Sequence, residues 1–205
     1  MNPNTQAQKA TREDIAGALL DVGAVFLRPA EPFTWASGIK SPVYCDNRLI
    51  LTSPPARDLV ENALADALRE HYPDCGVLMG TSTAGIAHAA IAAHILGLPM
   101  GYVRGAAKGH GRQNRIEGKL LPGQKTVVVE DLISTGGSAL ETAAALEEAG
   151  AEVLGILSIF NYGIRELPVK TISLCDLDTL AAVAAARGTI TEAEAREVIQ
   201  WKSEI

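Results

Sequence analysis

Residues 127–138 read Val-Val-Val-Glu-Asp-Leu-Ile-Ser-Thr-Gly-Gly-Ser, an order of residue types suited to gripping a phosphorylated sugar. The β-branched run predicts a buried strand that ends at the carboxylates Glu130 and Asp131. Leu132 and Ile133 follow, and then a loop of Ser134, Thr135, Gly136, Gly137 and Ser138. The loop leads into a helical pattern at Ala139, Leu140, Ala143 and Leu146. Loop and helix start together offer backbone N–H groups and the positive end of a helix dipole to a phosphate. The glycines let the backbone come close to it. Glu130 and Asp131 would repel a phosphate, but they can accept hydrogen bonds from ribose hydroxyls beside it. The plainer alternative is an ordinary strand and turn whose carboxylates cap a neighbour. Against it, neither carboxylate is a good strand residue.

Two other stretches suit anions. The segment 104–121 has no apolar period and carries Gly105, Gly109, Gly111 and Gly118 among Arg104, Lys108, His110, Arg112 and Arg115. Long loops inside compact domains are usually functional or disordered. A glycine-rich basic loop in an acidic chain suggests a mobile lid for an anion, against the alternative of a solvated surface hairpin. The second stretch, Gly80-Thr-Ser-Thr-Ala-Gly85, has the GxxxxG spacing of a P-loop. Ile86 and Ala87 replace the required Lys and Ser/Thr, so an ATPase or kinase reading fails there. Its N–H groups and hydroxyls can still meet a pyrophosphate. The four histidines form no metal constellation: His88 and His94 lie six apart on one predicted helix and share no face.

These stretches need a scaffold. Thr11 can cap a helix over about 12–23, with Ile15, Leu19 and Leu20 on one face. Residues 33–47 read as a short hairpin or two strands. Ser53 before Pro54-Pro55 starts a helix that runs to about His71 and buries Leu59, Leu64 and Leu68. Strands over 77–79, 100–103, 126–129 and 153–160 then alternate with helices over 85–96 and 137–149. This alternation predicts a parallel sheet covered on both faces, with ligands beyond the carboxyl ends of its strands. A strand over 171–175 and two terminal helices, the second with a Thr191/Glu194 capping box, complete the pattern.

Composition sets bounds. The 205 residues suit one domain with a substantial core. A net charge of −6 argues against nucleic acid as the main partner. Cys45, Cys75 and Cys175 form no CxxC pair and suit a reducing cytoplasm. No apolar run reaches membrane-spanning length, and the polar start of the chain reads as a frayed tail over 1–10.

Four stretches, taken in order, resemble the type I phosphoribosyltransferases and, among them, the orotate phosphoribosyltransferases. Residues 127–138 look like the signature for phosphoribosyl pyrophosphate (PRPP). Phe33-Thr-Trp-Ala-Ser-Gly-Ile-Lys-Ser-Pro-Val-Tyr44 resembles the orotate-enzyme signature, with Lys40 in place. Thr81-Ser-Thr-Ala-Gly-Ile86 resembles the pyrophosphate loop, and Tyr102-Val-Arg-Gly-Ala-Ala-Lys-Gly-His-Gly111 the catalytic loop. The resemblance covers about residues 11–165.

The resemblance implies an α/β type I phosphoribosyltransferase fold, a mainly parallel sheet flanked by helices with a small hood and a flexible catalytic loop. It implies one domain over 1–205, with 33–47 in the hood and 104–121 as the mobile loop. The implied reaction is orotate + PRPP → orotidine 5′-monophosphate + pyrophosphate, with Mg²⁺, in de novo pyrimidine synthesis. The implied assembly is a homodimer whose catalytic loop reaches across the interface. By the same resemblance PRPP is bound by Arg104, Lys108, His110, Glu130, Asp131, Leu132, Ile133 and the loop Ser134, Thr135, Gly136, Gly137 and Ser138. Lys40 and Ser134 meet orotate, and Lys40, Lys108, His110 and Asp131 are catalytic. Mg²⁺ is held mainly through PRPP, with no direct protein ligand.

The chain departs from the pattern at three places. Gly105 stands where many members carry a second Lys, and Ala84 where some carry another. Asn161-Tyr162 stands where some carry an Arg that touches orotate. Two alternatives remain: a purine phosphoribosyltransferase, which would lack the 37–41 segment, and a PRPP-sensing regulator, which would add a DNA-binding region.

Overall fold

The computed structural model describes residues 9–35, 38–105 and 115–205. Lys108, His110, Ser37 and most of the expected tail therefore lie outside the described residues.

Helix α1 (Arg12–Asp21) begins at Thr11, whose side chain and that of Asp14 form a reciprocal capping box. Three short pieces follow: β1 (Val25–Leu27), β2 (Phe33–Thr34) and β3 (Lys40–Ser41). β2 and β3 form the expected hairpin, and β1 pairs antiparallel with β4 (Val43–Cys45), a pairing the sequence pattern did not suggest. A 3₁₀ turn (Asn47–Thr52) leads into α2 (Pro54–His71). Pro54 opens α2 as expected, although Ser53 makes no side-chain cap.

The main sheet contains β5 (Val77–Thr81), β6 (Met100–Val103), β7 (Ile116–Glu117), β8 (Lys125–Ile133), β9 (Glu152–Asn161) and β10 (Thr171–Asp176). Its order is β10-β9-β8-β5-β6-β7, parallel throughout except for β7. Helix α3 (Ala84–Leu96) joins β5 to β6, and α4 (Gly137–Glu148) joins β8 to β9. Helices α5 (Leu177–Ala186) and α6 (Glu192–Ser203) end the chain, α6 with its Thr191/Glu194 capping box.

Two apolar cores explain the valine run. Val127 and Val129 point into a large core shared with α1, α2, α3 and α5. Val128 points the other way, into a smaller core with Ile133, Ile156 and the α4 residues Ala139, Ala143 and Leu146. A strand covered on both faces has no reason to alternate with polar residues.

Two differences from expectation bear on the site. The β8 strand does not stop at the carboxylates but continues to Ile133, because pairing with β9 persists from Glu130 opposite Ser158 to Ile133 opposite Asn161. The 104–121 segment is also not wholly loop, since Ile116 and Glu117 pair back onto Val103 and Tyr102.

An aromatic cluster joins the two ends of the chain. Trp35 packs edge-on against Tyr162 and Trp201, with centroids 5.1 and 5.7 Å away. The Trp201 indole N–H donates to the Lys40 carbonyl at 2.7 Å. Helix α6 thus holds the β2–β3 hairpin in place.

Candidate substrate site

The site is built at the carboxyl ends of two neighbouring parallel strands, β5 and β8. Glu130 is buried, and both of its oxygens are engaged. Ser138 donates its hydroxyl to Oε2 at 2.8 Å, and the Asp131 N–H donates to Oε1 at 3.1 Å. Burial first, and the nearby Asp131 carboxylate second, push Glu130 well above the usual carboxylate range. Glu130 therefore resists ionising beside Asp131 when no partner is bound. Asp131 itself is half-buried.

The loop after β8 suits an anion. Gly136 has φ +77°, the left-handed conformation that glycine adopts freely, and it caps the start of α4. Among the described residues, the backbone N–H groups of Thr135 to Ser138 have no protein acceptor, and the first bond of the helix runs from Leu140 N–H to the Gly136 carbonyl. Unpaired donors at a helix N-terminus attract phosphate. Ser134 and Ser138 flank this nest. Leu132 and Ile133, carried over as substrate contacts, pack their side chains into opposite cores, so only their backbone is available to a ligand.

The 80–85 loop leans directly on β8. A Cβ on Gly85 would sit 2.4 Å from the Val129 carbonyl, and one on Gly80 would sit 2.8 Å from the Ile86 Cα. Neither position has room for a side chain. The Thr81 hydroxyl is buried with no partner among the described residues. The Ser82–Thr83 peptide is cis.

Ser82 connects this loop to the base of the basic segment. Its hydroxyl donates to the Val103 carbonyl at 2.7 Å and accepts from the Gly105 N–H at 3.0 Å. Arg104 N–H donates to the Arg115 carbonyl at 2.8 Å, which closes the base of the hairpin. The Arg104 side chain is exposed and pairs with Glu117 at 3.3 Å. Lys108 and His110 fall outside the described residues.

Lys40 is exposed and donates to the Thr34 hydroxyl at 2.7 Å across the β2–β3 hairpin. Among the described residues, no hydrogen bond joins it to the acidic pair or the loops. Its carbonyl, held by Trp201, is the hairpin's fixed point.

Sequence reasoning missed Asn47. It is fully buried, and its amide donates to the Asp131 carbonyl at 2.7 Å. An asparagine closing the 33–47 stretch was the available signal, but 84 residues separate the pair. It also missed the buried Glu61–His88 pair, 2.5 Å apart, which joins α2 to α3. Among the described residues no three His, Cys, Asp or Glu side chains converge as a metal site.

The chain matches known proteins along nearly its whole length. A family model described as phosphoribosyl transferase domain matches residues 49–184. An orotate phosphoribosyltransferase of Bacillus subtilis (strain 168) is 53% identical over 200 residues, covering 93% of this chain and 92% of that protein. One from Bacillus cereus (strain G9842) is 52% identical over 198 residues, covering 93% and 94%. Among solved structures, orotate phosphoribosyltransferase from Aeropyrum pernix superposes with a TM-score of 0.74 at 28% identity, covering 86% of this chain and 99% of that one.

Proposed function

The chain belongs to the phosphoribosyl transferase family, within it to the orotate phosphoribosyltransferases, and from that premise we propose how its site transfers the phosphoribosyl group of PRPP to orotate. The products are orotidine 5′-monophosphate and pyrophosphate. The observation that carries the reading is the pairing of an acidic couple with two anion-ready loops on adjacent strand ends.

The 134–138 loop takes the 5′-phosphate. Binding there, remote from the reacting carbon, orients C1 of the ribose. Glu130 and Asp131 accept hydrogen bonds from the 2- and 3-hydroxyls. As the C1–O bond to pyrophosphate breaks, positive charge grows on the sugar ring, and the acidic pair beside it stabilises that charge. A ring nitrogen of orotate then bonds to C1 and gives up its proton, and pyrophosphate leaves with the electron pair of the broken bond, the proton passing to its oxygens or to solvent.

The leaving group needs positive charge around it. The 80–85 loop offers N–H groups and hydroxyls. Arg104, Lys108 and His110 supply charge, Arg by bidentate contact and Lys as a point charge. His110 donates a hydrogen bond or a proton to the same oxygens. Mg²⁺, when bound, would be held mainly through PRPP oxygens and would offset part of the pyrophosphate charge. Lys40 and Ser134 meet the orotate anion.

We read the chain as one functional unit over 1–205, with 33–47 in the hood and 104–121 as the catalytic loop. The assembly in this reading is a cytoplasmic homodimer whose catalytic loop serves the neighbouring subunit. No helix among the described residues is long and apolar enough to cross a membrane.

The test is an acceptor assay with PRPP and Mg²⁺. Orotate should be consumed with release of pyrophosphate. Adenine, hypoxanthine, xanthine and uracil should give no product. Turnover of a purine in preference to orotate would overturn the reading.

A further inference from the structure

The connection between β9 and β10 contains no helix. Residues 162–170 instead run as a strap along the α4 side of the sheet, where Leu167 and Val169 join the smaller core. Both ends of the strap are fixed. At its start the Tyr162 N–H donates to the Ile133 carbonyl at 2.9 Å, at the point where β8 gives way to the phosphate loop. At its end the Lys170 carbonyl accepts from the Ile156 N–H at 2.9 Å and from the Tyr72 hydroxyl at 3.1 Å.

Between these anchors the strap touches the phosphate loop twice. Arg165 Nε donates to the Thr135 carbonyl at 2.6 Å. Leu167 lies against Gly136, with its Cδ2 atom 2.5 Å from where a Cβ would stand. We propose that Arg165, carried on this strap, is a positioning residue that sets the sugar-phosphate loop for the 5′-phosphate. This rests on the reading of 134–138 as the 5′-phosphate loop.

The argument is stereochemical. The Thr135–Gly136 peptide is trans, so its C=O and N–H point in opposite directions. Holding the carbonyl outward on Arg165 turns the Gly136 N–H to the opposite side, among the unpaired donors at the start of α4. Without Arg165 this peptide is free to rotate, because Gly136 tolerates most backbone conformations. Leu167 limits the same movement by filling the space beside Gly136. The guanidinium also puts a permanent positive charge next to a loop that must hold a phosphate dianion. Its remaining N–H groups have no protein acceptor among the described residues. A cleft of about 680 Å³ runs along the strap, and its lining includes Arg165 and Leu167 but neither Glu130 nor any residue of 134–138. Arg165 therefore acts from behind the loop.

The experiment compares wild type with Arg165→Ala and Arg165→Lys by calorimetric titration with ribose 5-phosphate and, separately, with Mg²⁺-pyrophosphate, alongside kcat and KM for PRPP. Arg165→Ala should weaken ribose 5-phosphate binding and raise KM for PRPP, each by about tenfold, the scale of one lost charge-assisted hydrogen bond. Pyrophosphate binding should stay within about twofold, and Arg165→Lys should recover part of the loss. Unchanged ribose 5-phosphate affinity in Arg165→Ala would overturn the positioning role. So would an equal loss for both ligands, which marks general unfolding of the site. If wild type itself binds pyrophosphate but not ribose 5-phosphate, the reading of the loop fails, and the proposal with it.

Discussion

Asn47 donates its side-chain amide to the backbone carbonyl of Asp131 at 2.7 Å, and so ties the N-terminal hairpin region to the acidic pair. This single bond connects the segment expected to meet the acceptor with the strand expected to meet the sugar. Asn47→Ala leaves a partly buried carbonyl without its partner. We expect a stability loss of about 1–3 kcal/mol by chemical denaturation. We also expect a higher KM for both substrates, measured by initial rates. A variant as stable as wild type, with unchanged KM values, would show the bond to be incidental.

Glu130 makes the protein's stability depend on pH in a predictable direction. Its folded-state pKa is raised, first by burial and second by Asp131. Its contribution is fully present below the ordinary carboxylate range and is lost as pH rises through the folded-state value. Glu130→Gln cannot ionise. From about pH 5 to about pH 9 its melting temperature should therefore fall less than that of wild type. The same variant should use PRPP poorly. Parallel melting curves for the two proteins would contradict the buried-acid assignment.

Lys40→Ala tests the acceptor side. Orotate is an anion, and Lys40 is exposed on a hairpin fixed by Trp201. Loss of one charged hydrogen bond of about 1.5–3 kcal/mol predicts a fall in kcat/KM for orotate of about tenfold or more. The melting temperature should barely move, because the side chain is exposed. Equal kcat/KM in variant and wild type would remove Lys40 from the acceptor site.

The catalytic loop can be assigned to its own or the neighbouring subunit by mixing variants. Lys108→Ala damages the loop, and Asp131→Asn damages the sugar site. Each homodimer should be nearly inactive. If the loop acts in trans, a mixed dimer has one site with both defects and one with neither, so activity returns toward half per mixed dimer. If it acts in cis, every site keeps one defect. Native mass spectrometry confirms the exchange, and exchange without recovered activity would exclude the trans arrangement.

The sequence made the sheet legible because its central strands are buried on both faces. Val127, Val128 and Val129 form an unbroken apolar run for that reason. The turn at 134–138 was legible because glycines and hydroxyls cluster there, and Gly136 takes the left-handed conformation that starts α4. The start of the chain was harder. β1, β2 and β3 are two or three residues long, too short for a periodicity to show. The extension of β8 past Asp131 was hidden because it depends on pairing with β9, not on local preference. Asn47 and Arg165 were hidden for another reason: each reaches its partner across a long stretch of chain, and neither sits in a periodic segment.

The aromatic cluster has an optical consequence. The chain contains two tryptophans, Trp35 and Trp201, and they pack against each other at the junction of the β2–β3 hairpin and α6. Intrinsic tryptophan emission therefore samples this one corner of the molecule and nothing else. Any ligand that loosens or tightens the seat of α6 beside Lys40 changes the wavelength or intensity of that emission. An event that leaves the seat of α6 undisturbed leaves this emission unchanged. If Lys40 meets the acceptor as proposed, this emission is an unlabelled gauge of acceptor binding, which separates it from sugar binding in a stopped-flow trace.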